Sequence, residues 1–436
     1  MQHTRSRLLA VLAACALALP AACSSGSSSG AGSKTVLHWS WLSASDAKVW
    51  GQMIDAFNSA HKGGVQIQPE TIADYNQYKT KVVAGVATGH APDFGWNTAG
   101  QQSQWVKDGV IVPLDDLAKQ ANLDLTDFDS RALESSRSKK DGKLYMVPMD
   151  AMTMAMEINV PLAKKAGLDP QKPPTTNEEF LRWAKAMTVG QGGKISTSGF
   201  LMTGDGPQPS VVWAMVAAQM GFQRVDSNLK NVCVNKDAGV QAMQWVLNLF
   251  DTEHVSTRDV TDRYKAFSTN QGGIFWTGPW TISGNLDAKV DFVSVPIPQI
   301  GPQAHNYYEL GGLEVYKQKD ESRYKATVDA IKWLSDNSFL WTTKGRGASV
   351  RPSILNRPDY TTAGYPSDVR QAFITGLKSA DLASVPVTTT DDFEVYSGTS
   401  FVSQQVAATV AGKQTASNFI TTICAKWQED LAKESQ

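Results

Sequence analysis

The segment between Leu37 and Trp96 limits the fold more than any other part of the chain. Leu37 and Trp39 alternate with His38 and Ser40, the period of a half-buried strand. Val49, Met53, Ile54 and Phe57 then recur at helical spacing, which predicts a helix over 46–60 with Ser45 or Asp46 at its cap. A turn over 61–64 leads to a second strand through Val65 and Ile67. A second helix is predicted over 75–88, closed by Gly89, and a third short strand over 94–96. Strand, helix, strand, helix, strand is the order of a parallel sheet with crossover helices. Helical spacing returns over 178–189, 211–220, 238–250, 324–340 and 415–431, and a strand pattern over 290–295. The fold class is therefore α/β. At 436 residues the chain exceeds one hydrophobic core, so two lobes are expected.

The first residues bear on the compartment. Arg5 and Arg7 precede an apolar run over 8–19 that is broken by Pro20. That run is too short to span a bilayer and has the length of a secretory signal core. Ala21 and Ala22 stand before Cys23, and a Ser/Gly-rich stretch follows, a composition that stays flexible. This resembles a bacterial lipoprotein signal over 1–22, lipidated at Cys23, with 23–33 as a tether. Pro20 departs from the usual Leu. The run Leu12-Ala13-Ala14-Cys15 matches the pattern better but has a very short apolar core and no tether behind it. A plain secretory signal with an incidental cysteine is the third reading.

Removing 1–22 takes away Arg5 and Arg7 and no acid, which leaves 39 basic residues against 42 acidic ones. Without a basic patch, nucleic acid is not an expected partner. No later segment has the roughly eighteen uninterrupted apolar residues of a membrane span. The six histidines are scattered and no CxxC or CxxH occurs, so neither a metal centre nor another cofactor is expected. With Cys15 removed and Cys23 lipidated, Cys233 and Cys424 remain, either bridged or as two buried thiols.

Four stretches occur in order: APDFGWNTAGQQSQWVKDGVIVPLDDL, DGKLYMVPMDAMTMAMEINVPLAKKAGLDP, QGGIFWTGPWTISG and TTKGRGASVRPSI. Together they resemble a bacterial extracellular solute-binding protein of the sugar-binding class, like the maltose-binding protein. The resemblance covers 34–432. It implies a two-lobe periplasmic-binding-protein fold with three hinge crossings and a ligand cleft between the lobes. The crossings are expected near 148–153, 290–294 and 345–352. Lobe one is then 34–149 plus 292–346, and lobe two 150–291 plus 347–436. The implied role is the receptor of an ABC importer. It would be monomeric, lipid-anchored on the outer face of the cell membrane, and deliver a small carbohydrate to permease transmembrane subunits.

In open α/β sheets ligands bind beyond the carboxyl ends of the strands. Trp39 and Trp41 end the first strand, and Trp96 ends the third with Asn97 beside it. Aromatic faces stack on the C–H face of a sugar while polar groups bond its hydroxyls. Trp276, Trp280, Tyr75, Asp150 and Asp205 complete the loop-tip candidates, each weighed against a core or turn role. Gly311 and Gly312 follow from the resemblance as a cleft-lining pair, and Arg351 has the fork for paired hydrogen bonds to hydroxyls or an acid, with an ion pair at the last crossing as its other reading. Trp183, Trp213, Trp245, Trp333 and Trp427 sit on helices at core spacing. Where the family reads Tyr-Tyr-Asn-Lys, this chain has Met156-Glu157-Ile158-Asn159-Val160, with Pro161 in the following turn. The neighbouring methionines, Met152, Met154 and Met156, are either core or an apolar cleft wall.

Rival readings start from other residues. Ser136-x-x-Lys139 and Ser335-Asp336-Asn337 match two of three signatures of penicillin-recognising enzymes, but no K-T-G occurs. A secreted glycosidase with spatially paired carboxylates, and an adhesion lipoprotein, remain open alternatives. Among ligands, a glycerol phosphate ester, glycerophosphodiester or polyol is the alternative to sugar. A phosphorylated ligand would need cations in the cleft.

Overall fold

The structure is a computed structural model that describes residues 35–191, 194–226, 230–378, 393, 395 and 400–434. The signal, the tether, Cys15 and Cys23 lie outside these residues. The strands in chain order are β1 (Thr35–Ser40), β2 (Gln66–Thr71), β3 (Phe94–Thr98), β4 (Met146–Thr153), β5 (Ala155–Asn159), β6 (Val189–Gln191) and β7 (Lys194–Phe200). They continue with β8 (Gln223–Val225), β9 (Val232–Val234), β10 (Gly272–Thr277), β11 (Phe292–Val295), β12 (Tyr308–Val315) and β13 (Ala348–Ser349). One sheet has the order β13-β4-β12-β3-β1-β2, a second β11-β5-β10-β7-β6, and β8 and β9 form a hairpin.

Within the first sheet β1 pairs in parallel with β2 and β3, and helices make the crossovers. The helix Ala44–Ala60 buries Val49, Trp50, Met53, Ile54 and Phe57 along one stripe. Its cap is Ser43, whose Oγ accepts from the Asp46 N–H, and not Ser45 or Asp46. The helix Tyr75–Thr88 starts at Asp74 and ends at Gly89 in the left-handed conformation, the usual glycine stop. On β1 it is Val36, His38 and Ser40 that are buried, while Leu37 and Trp39 face outward. His38 can occupy a core position because it is neutral: burial pushes its pKa down to about 3. Its Nε2 accepts from Trp50 Nε1 at 2.8 Å.

The chain passes between sheets at three places. β4 belongs wholly to the first sheet and β5 to the second, so the first passage is at Met154. β11 stays paired with β5 through Val295, so the second falls between β11 and β12. β13 still pairs with β4 at Asp150 and Ala151, so the third lies beyond Ser349. The first two passages fall just C-terminal to the expected 148–153 and 290–294, because strand pairing continues through Thr153 and Val295, and the third lies beyond Ser349.

The expected single helix over 324–340 is two, Arg323–Asp336 and Phe339–Lys344. Asn337 stops the first, its Nδ2 donating to the Trp333 carbonyl. The second core gathers Phe180, Trp183, Trp213, Trp245, Trp276 and Trp427. Cys233 on β9 is bridged to Cys424 on the helix Ala416–Glu434, tying the hairpin to the last helix.

Candidate functional site

Arg346 is the centre of a cluster built from four separate segments. It lies between Gly345 and Gly347, and Gly347 has φ 64°. A side chain there would be 2.7 Å from the Ala151 carbonyl and 2.9 Å from Asp150 Cβ. Only a glycine lets the chain pass this close to β4, and the close passage sets Arg346 beside Asp150. The Arg346 guanidinium carbon is 5.0 Å from the Trp41 ring centroid and 5.6 Å from that of Trp280. Trp41 follows β1 of the first sheet, and Trp280 follows β10 of the second. The cation thus lies between one indole from each sheet, a favourable placement.

Two acids share this cluster. Asp46 Oδ2 is 3.8 Å from Arg346 Nε. Burial pushes the Asp46 carboxyl up to about 6, against the pull of Arg346 and the hydrogen bond from Ser43. Asp150 is fully buried and accepts from Trp341 Nε1 at 2.7 Å. Burial raises its pKa well above the usual range, opposed by Arg346 and Trp341. Four polar atoms here have no hydrogen-bond partner among the described residues: Trp41 Nε1, Asp46 Oδ2, Asp150 Oδ1 and Arg346 Nε. Buried polar groups are normally satisfied, so such a concentration requires explanation. The arrangement offers two indole faces, a donor fork and two carboxyl groups, which match the faces and hydroxyls of a polyhydroxylated molecule.

Around this centre the other candidates divide. Trp41 and Tyr75 pack together with ring centroids 4.6 Å apart, and Trp39 lies half-buried in the same aromatic group. The Tyr75 hydroxyl reaches Gln101 Oε1 at 3.5 Å. Asp205 is exposed in the loop before the helix Pro207–Gln219 and is not brought to Arg346.

Six candidates are packed in a core, set inside a strand or tied in an ion pair. Trp96 is fully buried, packed edge-on against Trp50 and Trp341, so it is core. Asn97 is also fully buried, its Nδ2 donating to Glu314 Oε2 at 2.9 Å. Trp276 is buried among Phe180, Phe200 and Trp245. Gly311 and Gly312 lie inside β12, where Trp96, Asp150 and Met146 occupy the space that a side chain would need. Arg351 binds Asp127 at 3.0 Å and Asp336 at 2.8 Å, with Ser335 Oγ at 3.0 Å, and is an ion-pair tie.

Met152, Met154 and Met156 are all buried, and Met154 also borders a small recess together with Met215, Val211, Trp276 and Trp280. Ser136 Oγ donates to the Ala132 carbonyl while Lys139 pairs with Glu134, so the S-x-x-K residues do not face each other. Arg346, Asp46 and Trp341 were missed. The signal for Arg346 was present, an arginine between two glycines at a chain passage. Asp46 read as a cap, and Trp341 lay just past the end of the helix expected over 324–340.

Comparison with known proteins supplies the family. The sn-glycerol-3-phosphate-binding periplasmic protein UgpB of Escherichia coli K12 is 26% identical over 152 residues, 34% of each chain. The chain thus spans about a third of the length of the curated relatives it matches. The solute-binding protein Lmo0181 of Listeria monocytogenes, solved with cycloalternan, superposes with TM-score 0.77 at 19% identity, covering 91% of this chain and 99% of that one. UgpB of Mycobacterium tuberculosis, solved with glycerophosphocholine, gives 0.79 at 18% identity, covering 93% and 100%. GacH of Streptomyces glaucescens, solved unliganded and with acarbose, gives 0.77 at 19%, covering 91% and 98%. These likenesses establish the two-lobe solute-binding fold, and residues 52–364 match the family of bacterial extracellular solute-binding proteins, to which the chain belongs.

Proposed function

We propose that the chain is the substrate-binding lipoprotein of an ABC importer and that it captures a carbohydrate, mono- or oligosaccharide, by closing two lobes. Lobe one carries the first sheet and lobe two the second. The carrying observation is the buried polar group around Arg346, set near Trp41 and Trp280, in which Trp41 Nε1 and Asp150 Oδ1 have no hydrogen-bond partner and Asp46 faces Arg346 at 3.8 Å without one. Sugar hydroxyls donate and accept, so they can satisfy both the carboxyl oxygens and the N–H groups. Closure follows when the ligand has more favourable interactions in the closed form, which requires groups from both lobes. Lobe one supplies Trp41, Asp46, Asp150 and Arg346, with Trp39 and Tyr75 beside them, and lobe two supplies Trp280. The proposed anchor is lipidated Cys23 on the outer face of the membrane. The closed monomer then docks on the permease subunits.

The alternative ligand, a glycerophosphodiester or glycerol phosphate, has a specific observation in its favour. Arg346 is a buried cation in the cluster, and the UgpB relatives bind such compounds by name. Asp46 and Asp150 lie beside that cation, which favours a neutral ligand. Calorimetric titration with maltotriose, tagatose, acarbose and glycerophosphocholine tests the two readings. Binding of a sugar, weakened at least tenfold (about 1.4 kcal/mol) by Trp280→Ala, supports the proposal. Binding of glycerophosphocholine alone selects the alternative, and a sugar affinity unchanged in Trp280→Ala refutes the site.

A further inference from the structure

Glu157 is a fully buried carboxyl in the middle of the second sheet, with Phe275 of β10 and Ser294 of β11 as its strand neighbours. Both side chains that bond it come from the segment that carries Trp280. Thr281 Oγ1 is 2.6 Å from Glu157 Oε1, and Asn285 Nδ2 donates to Oε2 at 2.9 Å. Thr281 Oγ1 is also 3.0 Å from the Gly278 carbonyl oxygen.

A hydroxyl has one hydrogen to donate, and a backbone carbonyl only accepts. Satisfying both contacts of Thr281 therefore needs a hydrogen on the carboxyl. Neutral Glu157 donates from Oε1 to Thr281 Oγ1, Thr281 donates to Gly278, and Asn285 donates to Oε2. Every group in the chain then has a partner. Ionised Glu157 would draw the Thr281 hydrogen to itself and leave the Gly278 carbonyl without it. The ring of Trp280 is folded tightly over Gly278, where ring carbons Cζ3 and Cη2 occupy the space a side chain on Gly278 would need. The geometry of this turn therefore fixes where the indole stands.

We infer that protonated Glu157 is a positioning residue, which through Thr281 and Gly278 sets the turn over 278–281 and holds the Trp280 indole toward Arg346. The inference rests on the proposed role of Trp280 in ligand binding. Burial supports the protonated form, pushing the carboxyl up to about 8 against the opposing bonds from Thr281 and Asn285. The charged residues on the elements packed nearby do not contribute to this shift. They are Asp287 on the helix Ile282–Asp287, Lys164 and Lys165 on Val160–Lys165, and Asp368 and Arg370 on Ser367–Gly376. Arg370 is bonded to the carbonyls of Tyr360 and Ala363 instead. The proton of Glu157 thus links the second sheet to the segment that carries Trp280.

The test uses the protein labelled with 5-fluorotryptophan, with the Trp280 resonance assigned by Trp280→Phe, and needs no ligand. The expected result is a Trp280 shift that titrates with a midpoint near pH 8 in the wild type. Glu157→Gln has the same shape as the neutral acid and a donor at the same place, so its Trp280 resonance should match the low-pH wild type and stay flat to pH 9.5. Glu157→Leu should displace it at every pH. A flat wild-type resonance, or a Glu157→Gln resonance that moves like the wild type, overturns the inference. These two measurements decide the question even if Glu157→Leu does not fold. In parallel, whichever of maltotriose or glycerophosphocholine binds should bind at least tenfold more weakly at pH 9.5 than at pH 7 in the wild type and equally at both in Glu157→Gln. If Trp280→Ala leaves that affinity unchanged while the resonance titrates as expected, the binding-site reading fails and the positioning of the indole stands.

Discussion

Arg346 and Arg351 come from one short segment and have opposite surroundings. Arg351 is held by Asp127 and Asp336, and its guanidinium also lies 4.9 Å from the Phe128 ring centroid. Both partner acids are partly exposed, which limits the value of the tie. Arg351→Ala should lower unfolding free energy by about 2 kcal/mol in a denaturant titration, with ligand affinity unchanged. Arg346 does not have such saturated bonding, and its substitution acts on Asp46. The Asp46 carboxyl titrates at about 6 folded against 3.8 as a free group. Between those values the folded form keeps a proton that the unfolded form has released, so stability falls as pH rises from about 4 to 6. Removing the Arg346 cation raises the folded value further. In Arg346→Ala the fall should therefore extend above pH 6, read from denaturation midpoints between pH 4 and 8. An unchanged pH slope would show that Arg346 exerts no pull on Asp46.

The pairing of β4 with β12 decides where Asp150 stands. Gly311 pairs with Asp150 and Gly312 with Pro148, so Met149 is an extra residue opposite one step of β12. Such bulges bend a strand and redirect a side chain. A methyl group on Gly311 would be 2.6 Å from Trp96 Cζ2 and 2.7 Å from Asp150 Oδ1. Gly311→Ala should cost about 1–3 kcal/mol of stability by overpacking. If Asp150 belongs to the proposed site, it should also weaken ligand binding by displacing that carboxyl; thermal melting and calorimetry on the same preparation check both. This element also shows what a sequence can convey. The apolar spacing of Val49, Met53, Ile54 and Phe57 determines a helix locally, and the order of elements over 37–96 was legible for that reason. Trp41 and Trp280 were legible as aromatics at strand ends. Trp96 met the same rule and is nevertheless core, because Trp50 and Trp341 come from distant segments to cover it. Asp46 was illegible because its partner Arg346 is supplied by another part of the chain.

At the scale of the molecule, two ties and one moving relation separate stability from function. The Cys233–Cys424 bridge spans 191 residues of sequence within the second lobe's core. A loop of that length implies a stabilisation of about 5 kcal/mol in the chain-entropy account. Cys424→Ser should therefore lower the melting temperature while leaving ligand affinity within twofold, because neither cysteine approaches Arg346. Hinge closure makes a different prediction. Arg346 touches an indole from each sheet, so the favourable energy of closing is concentrated where Trp280 meets the first lobe. A ligand that binds both lobes should decrease the radius of gyration in small-angle X-ray scattering. If the proposed site is the ligand site, a ligand at saturating concentration still occupies the first lobe of Trp280→Ala through Asp150 and Arg346, but the second lobe gains little by closing on it. The compaction should then shrink or vanish while the unliganded radius stays the same. Full compaction in Trp280→Ala would show that the two lobes are drawn together by other groups, and that the indole of the second lobe is not the one that reads the ligand.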